Sequence, residues 1–453
     1  MARHEEPSRW AVLAIILAVV LIPLNSTMIA VGLEPVAQAL RVPEPSVVWV
    51  ITAYLVVMAA LQPISGKLGD LFGRRRLLLL GLFIFLFCSV AAASLPNLLA
   101  LILFRSGQAL GGALVVPSAM ALLRQLFRGE SLRHALGTVG LVQGMGAALG
   151  PLVGAALIHL GGWTYMFWIN APIVALALII GAKHLPPDAP SGRRPIDYWG
   201  ALSLAGFLAL FALSVPHKAA HFSATQVLFI VLALVLLAVF FWAETHSQDP
   251  VVRFAIFRRP PVINSNLAIL ATNFFMYSTL LYLPVYLSRH GDSTTTTGLL
   301  LFVFSFAMSL TSYLGGRIGR LLGPRRIISV AFSFDLLVVL WYFGLSHFSE
   351  MAYLLPGLII AGIGAGIGTV TMQATILESV NPAMAGTASG IYSTFRYIGS
   401  ITASAVVSLM VLSPSAHIII LTTAALLGFL VLSGFPIHAK EPSDLGLRRS
   451  AGG

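Results

Sequence analysis

Very few ionisable side chains lie inside or at the rims of the long apolar stretches of this sequence, and those few are where chemistry could be done. Asp335 is a carboxylate near the centre of one stretch, while Glu34 and Glu378 stand at the rims of two others. Such a group can take up and release a proton, and an ionisable residue at membrane depth is a functional candidate by default. Arg105 and Arg396 share that setting. Burying a guanidinium there costs about 2.5–3.5 kcal/mol on insertion scales, so each should face a partner or a wet cavity. Arg396 could pair with Asp335 or Glu378, or attract an anion. Enzyme chemistry has little to build on: the 11 histidines are scattered, Cys88 has no partner for a disulfide or metal site, and no Walker-type phosphate loop is present. The chain is therefore read as a non-enzyme without cofactor or metal.

Composition says what holds these residues. Of 453 residues, 58% are hydrophobic and 9% charged, with a mean hydropathy of +0.91. A soluble surface needs about 25% charged residues, so lipid surrounds most of this chain. Crossing about 30 Å of hydrocarbon takes about 20 apolar residues per helix. Fourteen stretches of that kind are expected, near 10–33, 47–65, 77–94, 98–122, 134–158, 164–183, 198–215, 225–243, 262–287, 297–315, 327–345, 352–375, 386–411 and 416–437. The first is too long for a signal-peptide core and is read as a retained helix. With the N-terminus in the cytoplasm, 22 of the 27 Lys and Arg residues fall on the cytoplasmic side and three outside, at Arg41, Lys218 and Arg289. Basic short loops stay in the cytoplasm, so both termini are expected there. The net charge of +11 thus reports topology, and no nucleic-acid partner is needed.

An internal repeat organises the stretches. The loop after the second reads Gly66-Lys-Leu-Gly-Asp70-Leu-Phe-Gly73-Arg74-Arg75-Arg76, and the loop after the tenth reads Gly316-Arg-Ile-Gly-Arg320-Leu-Leu-Gly323-Pro-Arg-Arg326. Every glycine matches at a constant offset of 250. Two repeated halves with a site between them at mid-membrane are a known plan for secondary transporters. The offset spans eight stretches, so the expectation is two six-helix halves, 1–183 and 262–437, separated by a segment 184–261 carrying two inserted helices and followed by a cytoplasmic tail, 438–453.

The segment Gly66 to Arg76 resembles motif A of the major facilitator superfamily, whose Asp and Arg form a charge latch at the cytoplasmic gate; Asp70 and Arg74, with Arg75 beside them, would do so here. Arg105-Ser-Gly-Gln108-Ala-Leu-Gly111-Gly112 is similar to motif B, whose Arg is linked in the family to proton transfer. Gly137, Gly146, Gly150-Pro151 and Gly154 match the spacing of the antiporter motif C, with Ala155 in place of a final Gly. Glycines one turn apart allow close helix contact, and a proline removes one backbone hydrogen bond. The whole chain looks like the fourteen-helix drug/proton antiporters of this superfamily, although that group commonly has Asp where this chain has Asn25.

An amide cannot carry a proton, so the resemblance moves the coupling role to other residues. Asp335 and Glu34 rank nearly equal: Asp335 is central but on a helix that is peripheral in the family, Glu34 is less desolvated but on a pathway helix. Asn25, Gln62, Gln143, Asn273, Phe274, Tyr277 and Gln373 are candidates to line the substrate cavity, because amides favour cavities and aromatic groups give a forgiving apolar surface. The resemblance implies a monomeric plasma-membrane exporter of amphiphilic small molecules driven by the proton gradient. A dedicated exporter of one metabolite, lipid or siderophore is the alternative, and a membrane-embedded enzyme a remote one.

Overall fold

The computed structural model describes residues 8–95, 97–127, 129–188, 197–214, 223–247, 254–344, 351–380 and 385–410. They are helical almost throughout: α1 (Arg9–Val31), α2 (Leu33–Leu40), α3 (Glu44–Phe72), α4 (Arg74–Ser94), α5 (Leu98–Leu126), α6 (Gly129–Gly161), α7 (Tyr165–Trp168), α8 (Asn170–His184), α9 (Tyr198–Leu213), α10 (Ala224–His246), α11 (Pro260–Arg289), α12 (Thr294–Leu322), α13 (Pro324–Gly344), α14 (Met351–Ile367), α15 (Thr369–Glu378) and α16 (Ala385–Met410). Among the described residues, ten stretches are long and apolar enough to cross a membrane. Without water in the hydrocarbon, a spanning segment must satisfy its own backbone, which a helix does. The stretch 416–437 and the tail 438–453 lie outside the described residues.

Local chemistry sets the helix ends. Asn97 accepts from the Ala100 backbone N–H at 2.8 Å and starts α5; Asp197 does the same for Gly200 at 2.8 Å and starts α9. Ser223 and Gln226 form a reciprocal capping box at α10, which satisfies two N–H groups that the helix leaves open. Three predicted single spans are interrupted: Gly32 separates α1 from α2, placing Glu34 in the first turn of α2, the stretch 164–183 divides into α7 and α8 at Ile169, and the stretch 352–375 divides into α14 and α15 at Gly368.

The repeat seen in the loops reappears in the packing. In one set α1 lies on α6, and α5 on both α3 and α4; in the other α11 lies on α16, and α14 on both α12 and α13. The sets meet along two equivalent seams, α6 against α12 and α3 against α16. Helices α9 and α10 pair with each other, and α9 leans on α3. On α10, side chains such as Leu228, Leu234 and Val235 are exposed, as expected of a helix facing lipid.

Both repeat loops turn at a glycine with positive φ, Gly73 at 97° and Gly323 at 79°, a region that L side chains enter only with strain. Their surroundings differ. The Asp188 carboxylate sits over Gly73 and accepts from the backbone N–H groups of Arg75 at 2.7 Å and Arg76 at 3.2 Å, capping α4 from a distant part of the chain. The Arg75 side chain donates to the Ala182 carbonyl at 2.5 Å, closing the clasp between α4 and α8. Space around Gly323 is open.

Candidate functional site

A cavity of about 700 Å³ lies between the two sets, walled by α1, α3, α5, α6, α11, α12, α14, α15 and α16. It reaches toward the end of the bundle that carries the basic loops, where Gln62, Gly140, Ser312, Tyr313 and Thr369 line it. At the opposite end the sets touch. The Thr52 and Ser404 hydroxyls bond across the α3–α16 seam. On the α6–α12 seam, Gly298 lies so close to Pro151 and Ala155 that no Cβ would fit. Nearer the middle, Ser309 donates to the Gly144 carbonyl at 2.8 Å, and the Ser26 and Tyr277 hydroxyls stand 3.0 Å apart.

The motif C glycines account for how α1 meets α6. A Cβ on Gly146 would strike Val20, one on Gly150 would strike Thr27, and one on Gly154 would strike Met28. The contact is fastened by the Thr27 hydroxyl, which donates to the Ala147 carbonyl at 3.0 Å. Small residues at one-turn spacing let backbones approach, and here that approach forms one cavity wall.

Of the candidate cavity residues, Gln62, Gln143, Asn273 and Tyr277 line it, together with Arg396. Asn25, Phe274 and Gln373 are not among the lining residues. Asn25 is buried and accepts from Arg105, which also donates to Gln108 Oε1 at 3.0 Å; Gln108 in turn donates to Ser89 at 2.6 Å. The Arg105 guanidinium lies 4.4 Å from the ring centre of Tyr54, and Tyr54 lines the cavity. Arg105 therefore stands directly behind the wall.

Arg396 stacks on Tyr397 at 5.1 Å and donates to its hydroxyl at 3.3 Å. Among the described residues, no lining side chain is acidic. Asp335 is buried where α13 packs on α14, against Gly364, one residue from the cavity-lining Ala365; its Oδ1 has no hydrogen-bond partner among the described residues. Glu34 accepts from Gln38 at 2.8 Å on α2, at the closed end. The side chain of Asp70, and with it the Asp70–Arg74 latch, lies outside the described residues, as do the surroundings of Gly66 and Gly137. Three residues that shape the cavity wall or cap a helix near it had weaker sequence signals. Tyr54 and Tyr397 read as ordinary aromatic residues in apolar helices, and Asp188 as part of a Pro-rich connection.

With this geometry in view, residues 15–404 match the family model described as Major Facilitator Superfamily. The chain belongs to the Major Facilitator Superfamily. It is 36% identical over 404 residues to the uncharacterized MFS-type transporter YvkA of Bacillus subtilis (strain 168), covering 88% of this chain and 90% of that protein. To Multidrug resistance protein 3 of the same organism it is 27% identical over 407 residues, covering 87% and 78%. A crystal structure of a peptide transporter POT superposes with a TM-score of 0.72 at 14% identity, covering 93% of each chain. As a Major Facilitator Superfamily member the protein is a multi-pass membrane transporter and not an enzyme. Its two helix sets and the cavity between them are the parts such a carrier uses.

Proposed function

We propose that this protein exports amphiphilic small molecules by alternating access, in exchange for protons. The observation that carries the transport cycle is the cavity itself, sealed at one end by Thr52–Ser404 and the Gly298 contact and extending toward the basic end. Its lining mixes Met276, Met308 and Phe302 with amides and hydroxyls, which suits a cargo with an apolar body and a polar head. The direction of export is supported by the motif C glycines at the α1–α6 contact and by the multidrug resistance proteins among the relatives.

In this reading both termini are cytoplasmic, the protein sits in the cell membrane as a monomer, and the cavity faces inward. The fold comprises fourteen spans: two six-helix halves, 1–183 and 262–437, with α9 and α10 inserted between them. Asp335 is the favoured proton carrier and Glu34 the second, because a buried carboxyl whose Oδ1 has no hydrogen-bond partner among the described residues has a use for a proton.

The test is proton movement. Purified protein in vesicles with an acidic lumen is given a panel of amphiphiles while lumenal pH is recorded, with Asp335→Asn and Glu34→Gln alongside. A compound that dissipates the gradient through wild type, and not through one variant, supports proton antiport and identifies the carrier. If none does, coupling to protons is wrong. If a single compound does so among many, the dedicated-exporter alternative replaces the broad one.

A further inference from the structure

Resting on the amphiphile reading above, we infer that the cargo carries a negatively charged head, a carboxylate or comparable small anion, bound by Arg396. Three observations meet at this point. Arg396 is the charged side chain of the described cavity lining, and no described acid lines that cavity to neutralise it. Arg396 is half-buried in the cavity wall, and a cargo carboxylate would supply two parallel acceptors for its planar fork.

The second observation is the supply of donors around it. Tyr397 and Ser400 flank Arg396 in the lining, and Tyr277 and Tyr54 face it from α11 and α3. The Tyr54 hydroxyl is buried and has no hydrogen-bond partner among the described residues. Buried donors left unbonded call for an acceptor, and an anion offers more acceptor sites than any neutral head of its size.

The third is Arg105. It stands behind Tyr54 with its Nε and Nη2 unbonded among the described residues, and the groups its Nη1 donates to, Asn25 and Gln108, are neutral amides. Its charge therefore adds to the positive potential of the cavity instead of being cancelled locally. On α12, Phe302, Phe304 and Met308 give the lining an apolar stretch that fits the body of the molecule. A cationic amphiphile would meet the Arg396 guanidinium, with the charge of Arg105 behind Tyr54, and no acid among the described lining residues.

The experiment uses the purified full-length chain in detergent and three tritiated probes sharing one ring: 1-naphthylacetate, its amide, and 1-naphthylmethylamine. Scintillation-proximity binding should show the carboxylate held at least about tenfold more tightly than the other two. Arg396→Gln should bring it down to the level of the amide while amide binding persists, and Arg396→Lys should keep part of the preference. Amide binding and a monodisperse size-exclusion profile show that the Gln variant is folded. The inference is overturned if amide or amine binds wild type as well as the carboxylate, or if Arg396→Gln keeps the preference. If none of the probes binds, the amphiphile reading itself fails and this inference falls with it; if all bind alike, only the inference falls.

Discussion

The guanidinium of Arg105 donates to the side-chain oxygen of Asn25, tying α5 to α1 behind the cavity wall. The pair replaces charge-to-charge contact with charge-to-amide contact, and a hydrogen bond to a charged group contributes about 1.5–3 kcal/mol. Asn25→Ala should therefore lower the melting temperature in detergent by several degrees, whereas Asn25→Asp should raise it by restoring a counter-charge. A fall with Asp as large as with Ala would show that Arg105 is not held there as a cation.

The clasp over Gly73 makes a different prediction. Gly73→Ala forces a strained φ and drives its Cβ into the Asp188 carboxyl, whereas Gly323→Ala meets strain alone because the space is open. Strain of this kind costs about 1–3 kcal/mol, and losing a helix cap costs about 1 kcal/mol more. Thermal unfolding should rank Gly73→Ala below Gly323→Ala, and Asp188→Ala should remove most of the difference when combined with each.

At the α1–α6 contact, Gly150→Ala should be poorly tolerated, because its Cβ would overlap Thr27 and the Leu24 carbonyl. Overpacking costs about 1–3 kcal/mol. Gly140→Ala, on the same helix with nothing near its Cβ position, should be neutral. Equal melting temperatures for the two variants would contradict the observed helix approach.

A paired-cysteine variant can lock the closed end. In a Cys88→Ala background, Thr52→Cys with Ser404→Cys places two thiols where hydroxyls now bond across the α3–α16 seam. A disulfide needs Cβ atoms about 3.5–4.5 Å apart, a separation compatible with that contact. Oxidation should stop transport in vesicles and a reductant should restore it. Transport that continues in fully cross-linked protein would mean that this seam never opens.

How much of this could be read beforehand depends on the range of the physical signal. The glycines of the repeat were legible because a tight turn forces the residue type wherever it occurs, and both Gly73 and Gly323 have the conformation that such a turn demands. The motif C spacing was legible for a similar reason, since close helix approach excludes side chains at one-turn intervals. Cavity polarity was legible only in part. Gln62 and Gln143 line the space, but Gln373, also an amide on an apolar helix, does not, and hydropathy does not record which way one polar group points. Asp188 was invisible because a single carboxylate in a Pro-rich connection has no period, and its partner is more than one hundred residues away.

That carboxylate has a mechanical consequence. By pinning the chain where it leaves α8, Asp188 fixes the start of the path toward α9, which rests on α3, and α10 turns its exposed aliphatic face to the acyl chains. Among the described residues, α9 and α10 thus add to the breadth of the set containing α3, and tilting that set would displace the lipid around them as well. Viscous drag and bilayer deformation would then fall unequally on the two rotors, so the leaner one, α11 to α16, would swing while its broader companion serves as the stator.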